Sequence, residues 1–201
     1  SCGVIRDNLT TCELARIYEE NGACSLSVLI DENFFGGSLF DLKKAKEAVS
    51  LPLLAKEFII DEYQIYEARL YGADCILLIA RLLDKDTLEY LCQVAENLGM
   101  SFIVEVHLPS DVKKIPIFSS SLILGINNRD LDTLKVDLEV TLRILKLIPP
   151  GFPVISESGI TSREDIDFLR KEGVRAFLVG GALLQSKEPG RKLRELLYGE
   201  D

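Results

Sequence analysis

The sequence predicts an α/β fold built on a parallel sheet, and three observations carry that prediction. Short β-branched or Leu-rich runs recur along the chain about every 25 residues. The runs are apolar throughout instead of alternating, the pattern of parallel strands covered on both faces. Between them lie helical stretches with start and stop signals of their own.

The expected strands, in order, are residues 25–30, 53–56, 75–79, 102–106, 122–126, 153–156 and 176–179. Ahead of the first, Thr10-Thr11-Cys12-Glu13 reads as a capping box. In such a box the hydroxyl accepts from a backbone N–H of the first turn, and the carboxylate reaches back to the N–H of the capping residue. Gly22 ends that helix. Asp84 is placed to cap a helix over 87–98, stopped by Gly99. Thr161-Ser162-Arg163-Glu164 reads as a second capping box, with Gly173 at the far end of its helix. No linker, low-complexity stretch or second composition regime interrupts the chain, so residues 1–201 are expected to form a single (β/α) domain.

Two architectures repeat a strand–helix unit at this period, the open doubly wound sheet and the TIM (β/α)8 barrel. A dinucleotide-binding open sheet carries G-x-G-x-x-G after its first strand, and this chain has none. Asp31, Lys56, Glu105, Asn127 and Glu157 stand at the C-terminal ends of their runs. A barrel brings those ends to one mouth, where barrel enzymes work, whereas an open sheet strings them along an edge. The barrel is therefore the expected fold. Seven strands are visible where eight are needed, and one period back from residue 25 puts the remaining strand at or just before residue 1. The chain opens Ser1-Cys2-Gly3, and Met100 is its only methionine. The front of the barrel is thus expected to be missing, the visible runs being strands 2 to 8.

Composition removes several function classes. With 23 Lys+Arg against 32 Asp+Glu the formal charge is −9, which argues against non-specific nucleic-acid binding. No apolar run approaches the roughly 18 residues of a membrane span, and no signal or transit segment is present. The five cysteines, Cys2, Cys12, Cys24, Cys75 and Cys92, form no C-x-x-C pair, and one histidine, His107, leaves no zinc-ligand cluster. A reducing, cytoplasmic setting is expected.

Two glycine-containing loops suggest a phosphate cradle. Ser156-Glu157-Ser158-Gly159-Ile160 follows the expected seventh strand, and Val179-Gly180-Gly181-Ala182 follows the eighth. Such loops let backbone N–H groups approach an anion, and they are the usual phosphate site of barrels; the plainer reading is two tight turns. Lys56 and Glu105 at the mouth can serve as acid and base, or as a structural ion pair at the rim. Asn127 could hold a hydroxyl or water and Arg129 a carboxylate or phosphate, although Asn-Asn-Arg-Asp also suits a surface turn. Glu157 is a second mouth carboxylate. His107 reads as a satisfied loop histidine.

These residues carry a resemblance. Gly3-Val4-Ile5-Arg6, Phe34-Phe35-Gly36-Gly37, Lys56-Glu57-Phe58-Ile59-Ile60-Asp61, Gly72-Ala73-Asp74 and Val104-Glu105-Val106-His107 occur in this order. Residues 125–131, 156–160 and 178–180 complete the series. In that order and spacing the chain resembles the indole-3-glycerol phosphate synthase family of tryptophan biosynthesis. The resemblance implies a (β/α)8 barrel that closes the indole ring of 1-(2-carboxyphenylamino)-1-deoxyribulose 5-phosphate with loss of carbon dioxide and water, using no cofactor or metal. By position it implies Lys56 as general acid, Glu105 as general base, and Asn127 and Glu157 as residues that orient substrate hydroxyls and lysines. Ser158, Gly159, Gly180 and Gly181 would hold the phosphate, Phe58 would pack on the aryl ring, and Arg129 would support the mouth electrostatically. Ser1 would be the last serine of the family's first substrate-binding turn. The first strand's Glu-x-Lys pair has no counterpart here, so little synthase turnover is expected of the 201 residues alone. The partner implied is a phosphorylated small molecule, with no nucleic acid or membrane, and a monomer or weak homo-oligomer. Alternatives are another phosphate-binding barrel, such as phosphoribosylanthranilate isomerase, or a non-catalytic incomplete barrel that self-associates through its edge.

Overall fold

Strands form at all seven expected places and pair in sequence order, every pair parallel. They are β1 (Leu26–Leu29), β2 (Leu53–Lys56), β3 (Cys75–Ile79), β4 (Ser101–Val106), β5 (Leu122–Asn127), β6 (Val154–Glu157) and β7 (Ala176–Leu178). The computed structural model describes residues 9–116 and 119–199. Ser1, Cys2 and the segment 3–6, on which part of the sequence reading rests, lie outside them.

Helices follow the strands, namely α1 (Thr11–Glu20), α2 (Leu39–Ala48), α3 (Glu62–Leu70), α4 (Lys85–Asn97), α5 (Glu139–Leu145), α6 (Arg163–Lys171), α7 (Gly181–Gln185) and α8 (Pro189–Tyr198), except between β4 and β5, where the described residues hold only a 3-10 turn at Asp111–Lys114. The capping box at Thr10 and Glu13 forms as expected. The second box sits one residue later than the sequence suggested. Ser162 caps α6 and Asp165, not Glu164, reaches back, because Thr161 also donates to the Asp165 carboxylate. Asp84 does cap α4, which begins at Lys85, two residues before the expected start.

The strands are apolar throughout because both faces of the sheet are covered. Leu53, Ala55, Ile76, Leu78, Phe102 and Val104 face the helices and pack with residues such as Leu42, Ile65 and Leu88. The alternate residues Leu54, Leu77, Ile79 and Ile103 form a separate inner cluster with Ile123, Ile155 and Leu178. The sheet curls around that inner cluster, and its two ends approach: Tyr18 of α1 packs against the cluster that holds Leu193 and Leu196 of α8. Gly190 of α8 lies so close to α1 that a Cβ there would meet the Asn21 side chain at 2.6 Å. Among the described residues no ladder joins β7 to β1.

Candidate active site

Parallel pairing puts all seven C-terminal strand ends on one side, and the register decides which of them share a level. Ala55 pairs with Ile76, so Lys56 aligns with Leu77, two residues short of Ile79, the partner of Glu105. Glu105 aligns through Gly125 with Ile155, two residues short of Glu157. Between alternate strands β2, β4 and β6 the polar residue thus steps up by two, about one residue per strand. That is the stagger of an eight-stranded barrel, in which inward side chains from alternate strands form one layer. Lys56, Glu105 and Glu157 are such a layer, lying above Leu54, Ile103 and Ile155.

The side chains meet accordingly. Lys56 Nζ lies 3.5 Å from Glu105 Oε2 and 3.9 Å from Glu157 Oε2. Both glutamates are 1% exposed, whereas Lys56 is partly open to solvent. Burial pushes the Glu157 carboxyl well above the usual carboxylate range, and the neighbouring Glu105 charge pushes it further, while Lys56 partly offsets both. Glu105 Oε2 and Glu157 Oε1 are buried and have no hydrogen-bond partner among the described residues. Room for the Glu157 carboxylate comes from Gly125, where a Cβ would stand 2.4 Å from its Oε1.

His107 is not the satisfied loop residue that the sequence suggested. It is buried, and its Nε2 comes within 3.2 Å of Glu105 Oε1, yet off the hydrogen-bonding direction. Burial holds its pKa below the ordinary histidine value, against the pull of Glu105 and Asp111. Asp111 fixes this turn by accepting from the N–H groups of both His107 and Leu108, each at 2.9 Å.

An aromatic wall stands beside Lys56. Phe58 stacks on Phe35, with ring centres 5.2 Å apart, and receives the edge of Phe34 at 5.3 Å. Asp31 shapes the loop that delivers these rings: its carboxylate accepts from the Phe34 N–H at 2.6 Å and its carbonyl from the Gly37 N–H at 3.1 Å. Gly37 has to be glycine, since a Cβ there would lie 1.9 Å from the Leu29 carbonyl oxygen. Across the mouth, Asn127 is buried and its Oδ1 accepts from the Arg129 N–H at 3.0 Å. The Arg129 guanidinium donates to the Leu134 carbonyl, closing a loop that the Arg129–Val136 antiparallel bridge begins.

The two glycine loops end neighbouring strands, as Glu157 pairs with Leu178. Ser158 takes a φ of 66° and Gly159 one of 83°, a left-handed turn whose first member is not glycine. Gly180 caps α7 and Gly181 begins it; a Cβ at either would meet nothing within 4 Å, so the space above this loop is open. Ser158, Gly159, Gly180 and Gly181 are thereby gathered at the β6 and β7 ends, while Ser1 lies outside the described residues. Among the described residues no three His, Cys, Asp or Glu side chains are grouped to hold a metal ion.

Sequence reasoning passed over Asn128, which is buried and fully hydrogen-bonded behind this turn. Its neighbours Asn127 and Arg129 drew the attention, and its partners lie far along the chain. It also passed over the demand on Gly125, although a glycine inside an apolar strand often marks a close approach.

Solved structures of similar shape include KGPDC from Streptococcus mutans, with a TM-score of 0.70 and 14% identity over 93% of this chain and 89% of that one. The N-acetylmannosamine-6-phosphate 2-epimerase of Clostridium perfringens gives a TM-score of 0.65 at 15% identity, over 88% and 82%. These likenesses show the fold, a TIM barrel. In sequence, the indole-3-glycerol phosphate synthase of Dehalococcoides mccartyi strain CBDB1 is 50% identical over 200 residues, 98% of this chain and 77% of the relative. That of Polaromonas naphthalenivorans is 46% identical over 200 residues, 100% of this chain and 75% of the relative. The family model for indole-3-glycerol phosphate synthase matches residues 1–196. A lysine between two buried glutamates, in a barrel matched over nearly its whole sequence, leads to one conclusion: the chain belongs to the indole-3-glycerol phosphate synthase family.

Proposed function

We propose that this chain closes the indole ring of 1-(2-carboxyphenylamino)-1-deoxyribulose 5-phosphate, releasing carbon dioxide and water to give indole-3-glycerol phosphate. The observation that carries the reading is the layer of Lys56, Glu105 and Glu157 at the mouth. Lys56 acts as general acid: it stabilises and protonates the ketone oxygen as the aryl carbon bearing the carboxylate attacks the carbonyl carbon. Carbon dioxide then leaves from that aryl carbon and its bonding pair restores the ring. Glu105 acts as general base in the final loss of water. Glu157 and Asn127 orient the substrate hydroxyls, Phe58 packs on the aryl ring and Arg129 supports the mouth. Ser158, Gly159, Gly180 and Gly181 hold the phosphate, and Ser1 joins them.

The setting we propose is cytoplasmic, for one domain acting as a monomer or weak homo-oligomer on a small molecule, without nucleic acid or membrane. The net charge of −9 supports this, as do the four free cysteines among the described residues. No helix among them is long and apolar enough to cross a membrane. The chain has no tryptophan, so the indole product is read by its own fluorescence without background from that residue. Indole fluorescence that grows on adding the substrate, measured with a family first strand carrying its Glu-x-Lys pair joined ahead of residue 1, and lost in Lys56→Met, supports the reading. A chain that binds neither substrate nor product refutes it.

A further inference from the structure

Behind the Ser158–Gly159 turn stands a side chain that belongs to no part of the layer just described. Asn128 is 1% exposed, and its amide is saturated. Nδ2 donates to Ser156 Oγ and to the Ser158 carbonyl, both at 3.0 Å. Oδ1 accepts from the Thr141 N–H at 3.2 Å and from the Thr141 hydroxyl at 2.8 Å. The Thr141 and Ser156 hydroxyls are themselves 2.8 Å apart, and both residues are fully buried. The backbone of Asn128 adds one more tie, its N–H donating to the Glu157 carbonyl at 2.8 Å. One residue thus holds two consecutive carbonyls, those of Glu157 and Ser158.

That has a directional consequence. In a trans peptide the N–H points opposite to the C=O of the same unit. With the Glu157 and Ser158 carbonyls turned toward Asn128, the N–H groups of Ser158 and Gly159 point away from it. Ser158 is held there at a φ of 66°, a left-handed conformation that an L side chain disfavours and that persists only where its surroundings over-determine it. Asn128 supplies that determination from behind the turn.

We infer that Asn128 is the positioning residue of the phosphate turn: by pinning the Glu157 and Ser158 carbonyls it aims the Ser158 and Gly159 N–H groups at the substrate's phosphate. This rests on the reading that these residues hold the phosphate. Asn128 itself touches no substrate and acts through the turn.

The test compares binding of indole-3-glycerol phosphate with that of its dephosphorylated counterpart, indole glycerol, both followed by indole fluorescence. Inorganic phosphate serves as competitor. Asn128→Ala removes the clamp. Asn128→Asp keeps the shape and the acceptor for Thr141 but sets an oxygen against the Ser158 carbonyl, so it decides the matter where the alanine variant does not fold. Thr141→Val breaks the network on its far side and leaves the Ser158 contact in place. Both Asn128 variants should lose about tenfold in affinity for the phosphorylated ligand and keep wild-type affinity for indole glycerol. Thr141→Val should melt at a lower temperature yet keep the preference for the phosphorylated ligand. Asn128 variants that keep the preference overturn the inference, as does a Thr141→Val chain that loses it equally. A wild-type chain without any phosphate preference overturns the phosphate reading itself, an outcome distinguished by being present before any substitution.

Discussion

Replacing Gly125 by alanine adds one methyl group at the centre of the site, and the consequence can be worked from two distances. The new Cβ would stand 2.4 Å from Glu157 Oε1 and 2.7 Å from Ile103 Cγ2, where ordinary contact begins at 3.4 Å. The carboxylate must therefore retreat by about 1 Å, and Ile103 by somewhat less. Neither has open space to move into, since Glu157 is 1% exposed and Ile103 3%. Overpacking of this kind costs about 1–3 kcal/mol. For a chain of this size each kcal/mol lowers the melting temperature by about 2–4 °C.

The effect on turnover should be larger than that. Glu157 Oε2 sits 3.9 Å from Lys56 Nζ, and a displacement of about 1 Å in a catalytic constellation costs on the order of 100-fold in rate. Thermal melting and the indole-fluorescence assay, run on the same preparations, separate the two effects. A Gly125→Ala chain with wild-type melting temperature refutes the packing argument. One that melts lower but turns over normally refutes the catalytic placement of the layer.

Three further outcomes follow from the same geometry. Glu157 has a raised pKa in the folded chain, so its contribution to stability is fully present below the ordinary value of 4.5 and is lost as pH rises through the folded value. In Glu157→Gln that loss should vanish, flattening urea stability as pH rises above 4.5; curves that stay parallel would count against a raised Glu157 pKa. His107 has the opposite sign: its lowered pKa gives stability that is present above 6.5 and lost as pH falls toward the folded value. His107→Gln should accordingly blunt the acid limb of the stability profile, and an unchanged limb would mean that the imidazole is not held neutral. Phe58→Ala removes both ring contacts at the mouth and should raise KM for the substrate several-fold with a smaller change in kcat, at a stability cost of about 1 kcal/mol. An unchanged KM would put the aryl ring elsewhere.

What the sequence made legible was whatever is decided locally. Thr10 with Glu13, and Asp84, are legible as caps because each partner lies within three residues. Lys56, Glu105 and Glu157 are legible as site residues because a charge closing an apolar run has to be explained. Their gathering into one layer is not legible, since it depends on the register of ladders between strands that are distant in sequence. Asn128 escaped for the same reason: its partners Thr141 and Ser156 lie 13 and 28 residues away. His107 misled because one residue past a strand end usually means solvent, whereas here Asp111 folds the following turn back over it.

The protonation state of Glu157 connects the fold to the substrate. The proposed substrate carries a phosphate and a carboxylate, and it must enter a chain whose net charge is −9. With both glutamates ionised around one lysine the layer would be net negative and would repel an anionic substrate. Burial under the curled sheet, with the Glu105 carboxylate beside it, disfavours the charged form of Glu157 and so works against a second negative charge in the layer. The same burial depends on Gly125, because any larger residue on β5 would push the Glu157 carboxyl out of its dry position. A strand glycine that on propensity alone only weakens the sheet thus makes room for the Glu157 carboxyl in the layer with Lys56.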